Sequence, residues 1–211
     1  MSKIRALTTA TLVALAATLA IAAPARAVEE PAFRLELKDG AFEIRDYPAL
    51  VVAEVTVEGD QNTAANRGFR LLAGYIFGAN HGRRDIAMTA PVTQTRAQGE
   101  TIAMTAPVSQ TRTGQAWTVR FTMPSSWRLD TLPQPNDPRV RLHPLPPERM
   151  AVLRFSGRVD LAMATAKTRE LMAQLQTRRL RPVGAVSLAQ YDPPWTLGFA
   201  RRNEVMVAIA P

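Results

Sequence analysis

Residues 86–96 read I-A-M-T-A-P-V-T-Q-T-R, and residues 102–112 read I-A-M-T-A-P-V-S-Q-T-R; only Thr93 and Ser109 differ. With a period of two, Ile86, Met88, Ala90 and Val92 point one way, and Ala87, Thr89, Pro91 and Thr93 the other. Ile102, Met104, Ala106 and Val108 repeat the pattern. Between the copies, Ala97-Gln98-Gly99-Glu100 is a short polar link containing glycine. Two alternating segments joined in this way predict a β-hairpin with its Met face buried. Each carries a proline, which lacks the ladder N–H and suits an edge, an end or a bulge, so a bend is expected at Pro91 and Pro107.

Upstream of the repeat the period changes. Ala65, Phe69, Leu72, Ala73 and Ile76 fall at helical spacing and predict an amphipathic helix over 62–77, with Asn62 as N-cap and Gly78 just past its end. Gly68 and Gly74 each cost about 1 kcal/mol against Ala inside a helix, which close packing would compensate. Before the helix, Val51, Ala53, Val55 and Val57 alternate with Glu54, Thr56 and Glu58 in a strand. Earlier still, Phe33–Leu37 and Phe42–Arg45 flank an Asp39-Gly40 turn and form a first hairpin.

Downstream, Trp117, Val119, Phe121 and Met123 alternate in a further strand. Seven prolines between 124 and 147 mark an irregular crossing with one short strand at 140–142. A strand over 150–156 leads to a second helix, capped by Asp160 and faced by Leu161, Ala164, Thr168, Leu171 and Leu175. Arg178, Arg179 and Arg181 sit at its C-terminus, where the macrodipole favours cations, and Pro182 stops it. Strands at 184–191 and 204–209 close the chain. The order contains two β-α-β-β units: strand 49–58, helix 62–77 and strands 85–94 and 101–110, then strand 150–157, helix 160–177 and the closing pair. The expected fold is α+β, a curved pseudo-twofold antiparallel sheet with one helix per half.

The first residues form a separate unit. Lys3 and Arg5 precede an apolar run from Ala6 to Pro24, which ends in Ala25-Arg26-Ala27. A basic start, an apolar middle and an A-x-A close describe a secretory signal peptide over residues 1–27, cut after Ala27. Residues 28–211 are then one domain, exported to the periplasm or beyond and without a stable membrane anchor. Loss of Lys3, Arg5 and Arg26 takes the formal charge from +8 to +5. The bases are spread along the chain, which argues against nucleic acid and for a mild preference for anionic small molecules. With no Cys, disulfide and thiolate chemistry are excluded.

Few residues offer catalysis. His81 and His143 are the two histidines, and neither has metalloprotease spacing; G-x-S-x-G and P-loop patterns are absent. His143 shares a strand face with Arg139 and Arg141 and reads as a surface residue. His81 lies in a Gly-flanked loop past the first helix, a position open to iron. Met88 and Met104 fit core packing better than iron ligation. No carboxylate pair is set by local spacing, and the chain reads as a binding module without enzymatic activity.

Several spaced motifs then carry a resemblance. Phe42-Glu43-Ile44-Arg45-x-Tyr47, Gly68-Phe69-x-x-Leu72-x-x-Tyr75-Ile76-x-Gly78-x-Asn80, both Met-Thr-Ala-Pro-Val copies, Tyr191-Asp192-Pro193-Pro194 and Arg201-Arg202-Asn203-Glu204-Val205 resemble the SOUL haem-binding family over about residues 33–209. The resemblance implies a distorted β-barrel of two β-α-β-β halves flanked by two helices. It also implies haem or another tetrapyrrole held as ligand in an apolar groove by the first helix. Phe69, Leu72, Ala73 and Ile76 would then contact the macrocycle, and Arg67, Arg70, Arg83 and Arg84 the propionates. Relatives carry a proposed axial His just before the Tyr of the first motif. Here that residue is Asp46, a poor iron ligand, which leaves His81 as the candidate axial ligand or no ligand from the protein. The architecture also resembles effector-binding domains of transcription regulators, although no DNA-binding helix pair is present. The functions in view are a tetrapyrrole carrier or buffer, a binding domain for another small apolar or anionic ligand, and a structural or interaction protein of the envelope.

Overall fold

The computed structural model describes residues 28–82, 99–193 and 195–211. The leader, Pro194 and the first repeat copy, with Met88, Arg83 and Arg84, lie outside the described residues. Eleven strands and two helices are described in order: β1 (Arg34–Asp39), β2 (Phe42–Tyr47), β3 (Leu50–Glu58), α1 (Gln61–Ile76), β4 (Asn80–His81), β5 (Val108–Thr113), β6 (Ala116–Thr122), β7 (Gln134–Pro135), β8 (Arg141–Leu145), β9 (Glu148–Ser156), α2 (Leu161–Thr177), β10 (Ser187–Gln190) and β11 (Arg202–Ala208). Nine strands form one curled antiparallel sheet in the order β1-β2-β9-β11-β10-β5-β6-β3-β8, while β4 pairs with β7.

That order displays the expected pseudo-twofold plan. Read outward from the β10–β5 junction, β10-β11-β9 on one side matches β5-β6-β3 on the other. Each half is a strand, a helix and two strands. The first half, however, uses β5 and β6 as its closing pair. The predicted hairpin between the two repeat copies rests on a first copy that lies outside the described residues; of the second copy, residues 108–112 belong to β5, which pairs with β6 on one side and β10 on the other. Alternation in 102–108 reflected burial more than a strand. Ile102 and Ala106 are buried and Met104 is half-buried against the core, yet Thr105 is buried as well, its hydroxyl donating to the Thr122 carbonyl.

Both helices cover the same face of the sheet. α1 packs on β3 and β6 through Ala64, Leu72, Tyr75 and Ile76, against Val55, Val119 and Phe121. α2 packs on β9 and β11 through Leu171 and Leu175, against Leu153, Val205 and Val207. The expected N-cap of α1 also moves. Asp60, not Asn62, caps it, because its carboxylate accepts from the Asn62 and Thr63 amides at 3.0 Å each. Asp160 caps α2 as expected, but Leu161 is exposed at the first turn instead of joining the buried face. Among the described residues, no helix is long and apolar enough to cross a membrane.

Gly68 shows why a weak helix former persists in α1. A Cβ there would lie 2.5 Å from Val119 Cγ2 and 2.7 Å from Val119 Cβ, so helix and strand touch where only hydrogen fits. Gly68→Ala should lose about 1–2 kcal/mol in urea denaturation, since overpacking of about 1–3 kcal/mol exceeds the gain in helix propensity. Combined with Val119→Ala, the loss should fall short of the sum of the single variants by about 0.5–3 kcal/mol; strict additivity would place the crowding elsewhere.

Candidate functional site

The tight α1–β6 contact rotates α1 relative to the stripe read from sequence. Leu72 and Ile76 are 0% and 1% exposed and belong to the core, whereas Phe69 and Phe77 are 38% and 60% exposed. Ala65 and Ala73 are half-buried between them. The outward apolar strip is thus Ala65, Phe69, Ala73 and Phe77, at helical spacing along the flank of α1. Phe69 is anchored edge-on to the buried Phe121 ring, with centroids 5.5 Å apart. Arg67 and Arg70 are exposed on the same helix, and no ion pair engages them among the described residues.

Past the end of α1 the chain passes through a built neck. Asn80 is buried, and its side-chain amide donates to the Tyr75 carbonyl at 2.7 Å and the Glu100 carbonyl at 2.8 Å. Its oxygen accepts from the Glu100 amide at 2.8 Å. Ile102 N donates to the Ile76 carbonyl at 2.8 Å, a second tie at the same point. Gly99 packs so closely on Gly78 that a Cβ would sit 1.8 Å from the Gly78 oxygen. A lone Asn between Ala79 and His81 carries no sequence signal for this clamp, beyond its place in the motif.

His81 stands next in line, exposed on β4. Its Nδ1 lies 2.7 Å from Asn136 Oδ1. With that oxygen accepting, Nδ1 carries the proton and Nε2 keeps its lone pair, the form that binds metals. Asp46, at the position of the relatives' histidine, is committed elsewhere: its carboxylate pairs with Arg34 at 2.8 Å and with Arg149 at 3.2 Å. His143 departs from the surface reading. It is half-buried, with Nε2 3.3 Å from Glu54 Oε2, which also binds Arg120 at 2.5 Å.

The helix-free face of the sheet holds a polar cluster that no local spacing announced. Arg45 and Glu204 are 1% and 0% exposed, from β2 and β11, and meet through two bonds of 2.8 and 2.9 Å. Arg45 also donates to Glu43 at 2.8 and 2.5 Å and to Tyr47 Oη at 3.1 Å. Tyr191 Oη donates to Glu204 at 2.5 Å, and Arg202 stacks over the Tyr191 ring at 3.8 Å. Burial pushes the Glu204 carboxyl up, but the bonds and charge of Arg45, with Tyr191 and Arg202, more than offset it and hold it below the usual range. Glu43 is lowered in the same way, burial opposed by Arg45 and Arg154. Burial and the Glu204 charge raise the Tyr191 hydroxyl well above its ordinary value. Every member is partnered, so the cluster is a rivet across the second half of the sheet. Beside it, Tyr47, Leu50, Leu145, Met150, Tyr191 and Met206 line a bowl of about 640 Å³, counting its open mouth.

A family model described as SOUL heme-binding protein matches residues 28–208. The chain belongs to the SOUL family. No curated protein sequence matches it. Among solved structures, the EcmrR C-terminal domain superposes with a TM-score of 0.57 at 8% identity, covering 84% of this chain and 98% of that one. A hydrolase from Listeria innocua superposes at 0.51 with 12% identity, over 82% and 94% of the two chains. At these identities the likeness is one of fold. It agrees with the curled sheet and two helices. Family membership makes haem or a related tetrapyrrole the ligand class to weigh for this SOUL protein.

Proposed function

We propose that this SOUL protein is an exported, non-catalytic tetrapyrrole-binding protein, a carrier or buffer, holding its ligand along the outer flank of α1. The observation that carries this reading is His81. Its Nδ1 is fixed by Asn136, and no partner engages Nε2 among the described residues, so the imidazole fits an axial position on iron. A macrocycle is a flat apolar plate with two carboxylates. Phe69, Ala73 and Phe77 offer the apolar contact, and Arg67 and Arg70 lie close enough in sequence to meet propionates with charge-assisted bonds. Leu72 and Ile76 support the strip from beneath. The macrocycle would supply the Soret absorbance, which a ligand to its iron would shift; the protein's part is to orient the ring and shield its face. Export follows from the basic, apolar and A-x-A pattern of residues 1–27.

A haemin titration followed by absorbance tests the reading. Wild type should show a saturable Soret shift. Ala73→Glu sets a charge into the strip at a half-buried site that can accept it, and should weaken binding at least about 100-fold with Tm nearly unchanged. His81→Ala should move the Soret band. Binding as tight as wild type in Ala73→Glu would remove α1 from the site. A second reading rests on the bowl, a mostly apolar concavity lined by Tyr47, Leu50, Leu145, Met150, Tyr191 and Met206. There another small apolar or anionic ligand would bind, and Leu145→Glu, at the half-buried rim, would block it while sparing haemin.

A further inference from the structure

The two most exposed large apolar side chains among the described residues, Trp195 and Phe199, belong to one connection. Trp195, Leu197 and Phe199 are 83%, 64% and 80% exposed, at every second position between β10 and β11. The connection is not slack. Thr196 N donates to Pro193 O at 3.0 Å, Ala200 N to Leu197 O at 2.9 Å, and Arg201 Nε to Thr196 O at 2.8 Å. Gly157 N donates to Gly198 O at 3.1 Å, which pins the tip to the end of β9. A tip held by this many backbone bonds keeps its three large side chains in water, an arrangement that marks an interaction surface.

We infer that this tip is a membrane-docking element that inserts into the interface of an anionic phospholipid bilayer. Size favours a bilayer over a protein partner. Three side chains offer roughly 500 Å² in all, taking about 150–250 Å² per aromatic residue. A stable protein interface needs about 800 Å² per partner. A small apolar tip is enough to enter the headgroup region, and Trp is the side chain best matched to that depth. Charge points the same way. Arg158 is exposed, and its stem passes 3.5 Å from where a Gly198 Cβ would be. The nearby carboxylates are fixed on backbone amides, Asp192 on Arg202 N at 2.6 Å and Asp160 on Met163 N at 2.8 Å, and among the described residues no ion pair engages Arg158. Each cation near an anionic surface strengthens binding about fivefold.

The test is co-sedimentation of the exported form of the protein with vesicles of about 30% phosphatidylglycerol in phosphatidylcholine, against phosphatidylcholine alone. Binding should favour the anionic vesicles and fall as salt rises from about 50 to about 500 mM. Lipids brominated along the chain should quench tryptophan emission in wild type and much less in Trp195→Ser. Trp195→Ser/Phe199→Ser should weaken binding at least about tenfold without lowering Tm, because both side chains are already in water. Arg158→Glu leaves the tip intact and should weaken binding to anionic vesicles at least about fivefold. Absence of sedimentation with anionic vesicles at low salt overturns the inference, as does binding that both variants leave unchanged. Concentration-dependent dimerisation abolished by Trp195→Ser/Phe199→Ser would overturn it too, by giving the tip to a second copy of this chain. The outcome is independent of haemin binding, which is read separately by absorbance.

Discussion

Arg45→Met should cost about 3–5 kcal/mol at pH 7, because it strips the shared partner from two buried carboxylates. Arg154 and Arg202 remain near Glu43 and Glu204, yet neither replaces the pair of 2.8 and 2.9 Å bonds between β2 and β11. The pH dependence has a definite sign. Both folded carboxyls titrate below their unfolded value of about 4.3, so their contribution is complete above that value and fades as pH falls through the folded pKa values. The gap between wild type and Arg45→Met should therefore be largest near pH 7 and narrow as pH falls, first as the variant's unpaired carboxyls take up protons and then as those of wild type do. Replacing all three, as Glu43→Gln/Arg45→Met/Glu204→Gln, should recover much of the loss at pH 7, since the variant leaves no unpaired buried charge. Urea denaturation across this range checks both statements. A gap below about 1 kcal/mol at pH 7, or one that persists unchanged at pH 3.5, would contradict the rivet.

Leu72→Ala should cost about 2–5 kcal/mol, the usual penalty for emptying a fully buried leucine site. In a chain of this size each kcal/mol lowers Tm by about 2–4 °C, so a fall of about 5–15 °C is expected. Haemin affinity of the folded fraction should change little, because Leu72 has no surface to offer. Phe69→Ala should do the reverse, with a small change in Tm and a clear loss of affinity. Tm paired with a Soret titration on each variant separates the two roles. If Leu72→Ala kept its Tm and lost haemin, the helix face would be the one suggested by sequence spacing.

That pair of residues shows where the sequence was legible and where it was not. Periodicity identified α1 within a residue at each end, and it identified the β-α-β-β plan of both halves. The rotation of the helix was invisible, because it depends on Val119, fifty-one residues from Gly68 in the chain, pressing where a side chain would otherwise stand. The repeat misled for a related reason. Alternation in 102–108 records which side chains are buried, and there Ile102 is tied to the end of α1 and Thr105 to β6. Val108–Thr113 then finds its partners at Ala116–Thr122 and Ser187–Gln190, a choice fixed by topology. The Glu43–Arg45–Glu204 cluster was hidden for want of local spacing: Arg45 and Glu204 are 159 residues apart and meet only because β9 brings β2 and β11 into one sheet. The motif residues of β2 and β11 carry the family resemblance, and the structure gives them a physical task.

The neck at Asn80 has a consequence for the history of the chain. The two repeat copies are offset by sixteen residues, and the first falls wholly between Asn80 and Glu100. Doubling the number of residues closed by a fixed neck costs only about 0.6 kcal/mol in chain entropy. Bonds from one buried amide to Tyr75 and Glu100, with Ile102 tied to Ile76, hold α1 against its neighbours whatever length of chain leaves and returns there. A tandem duplication at this point is therefore nearly neutral for folding. Such a place lets a gene acquire new sequence first and leaves selection to find a use for it afterwards.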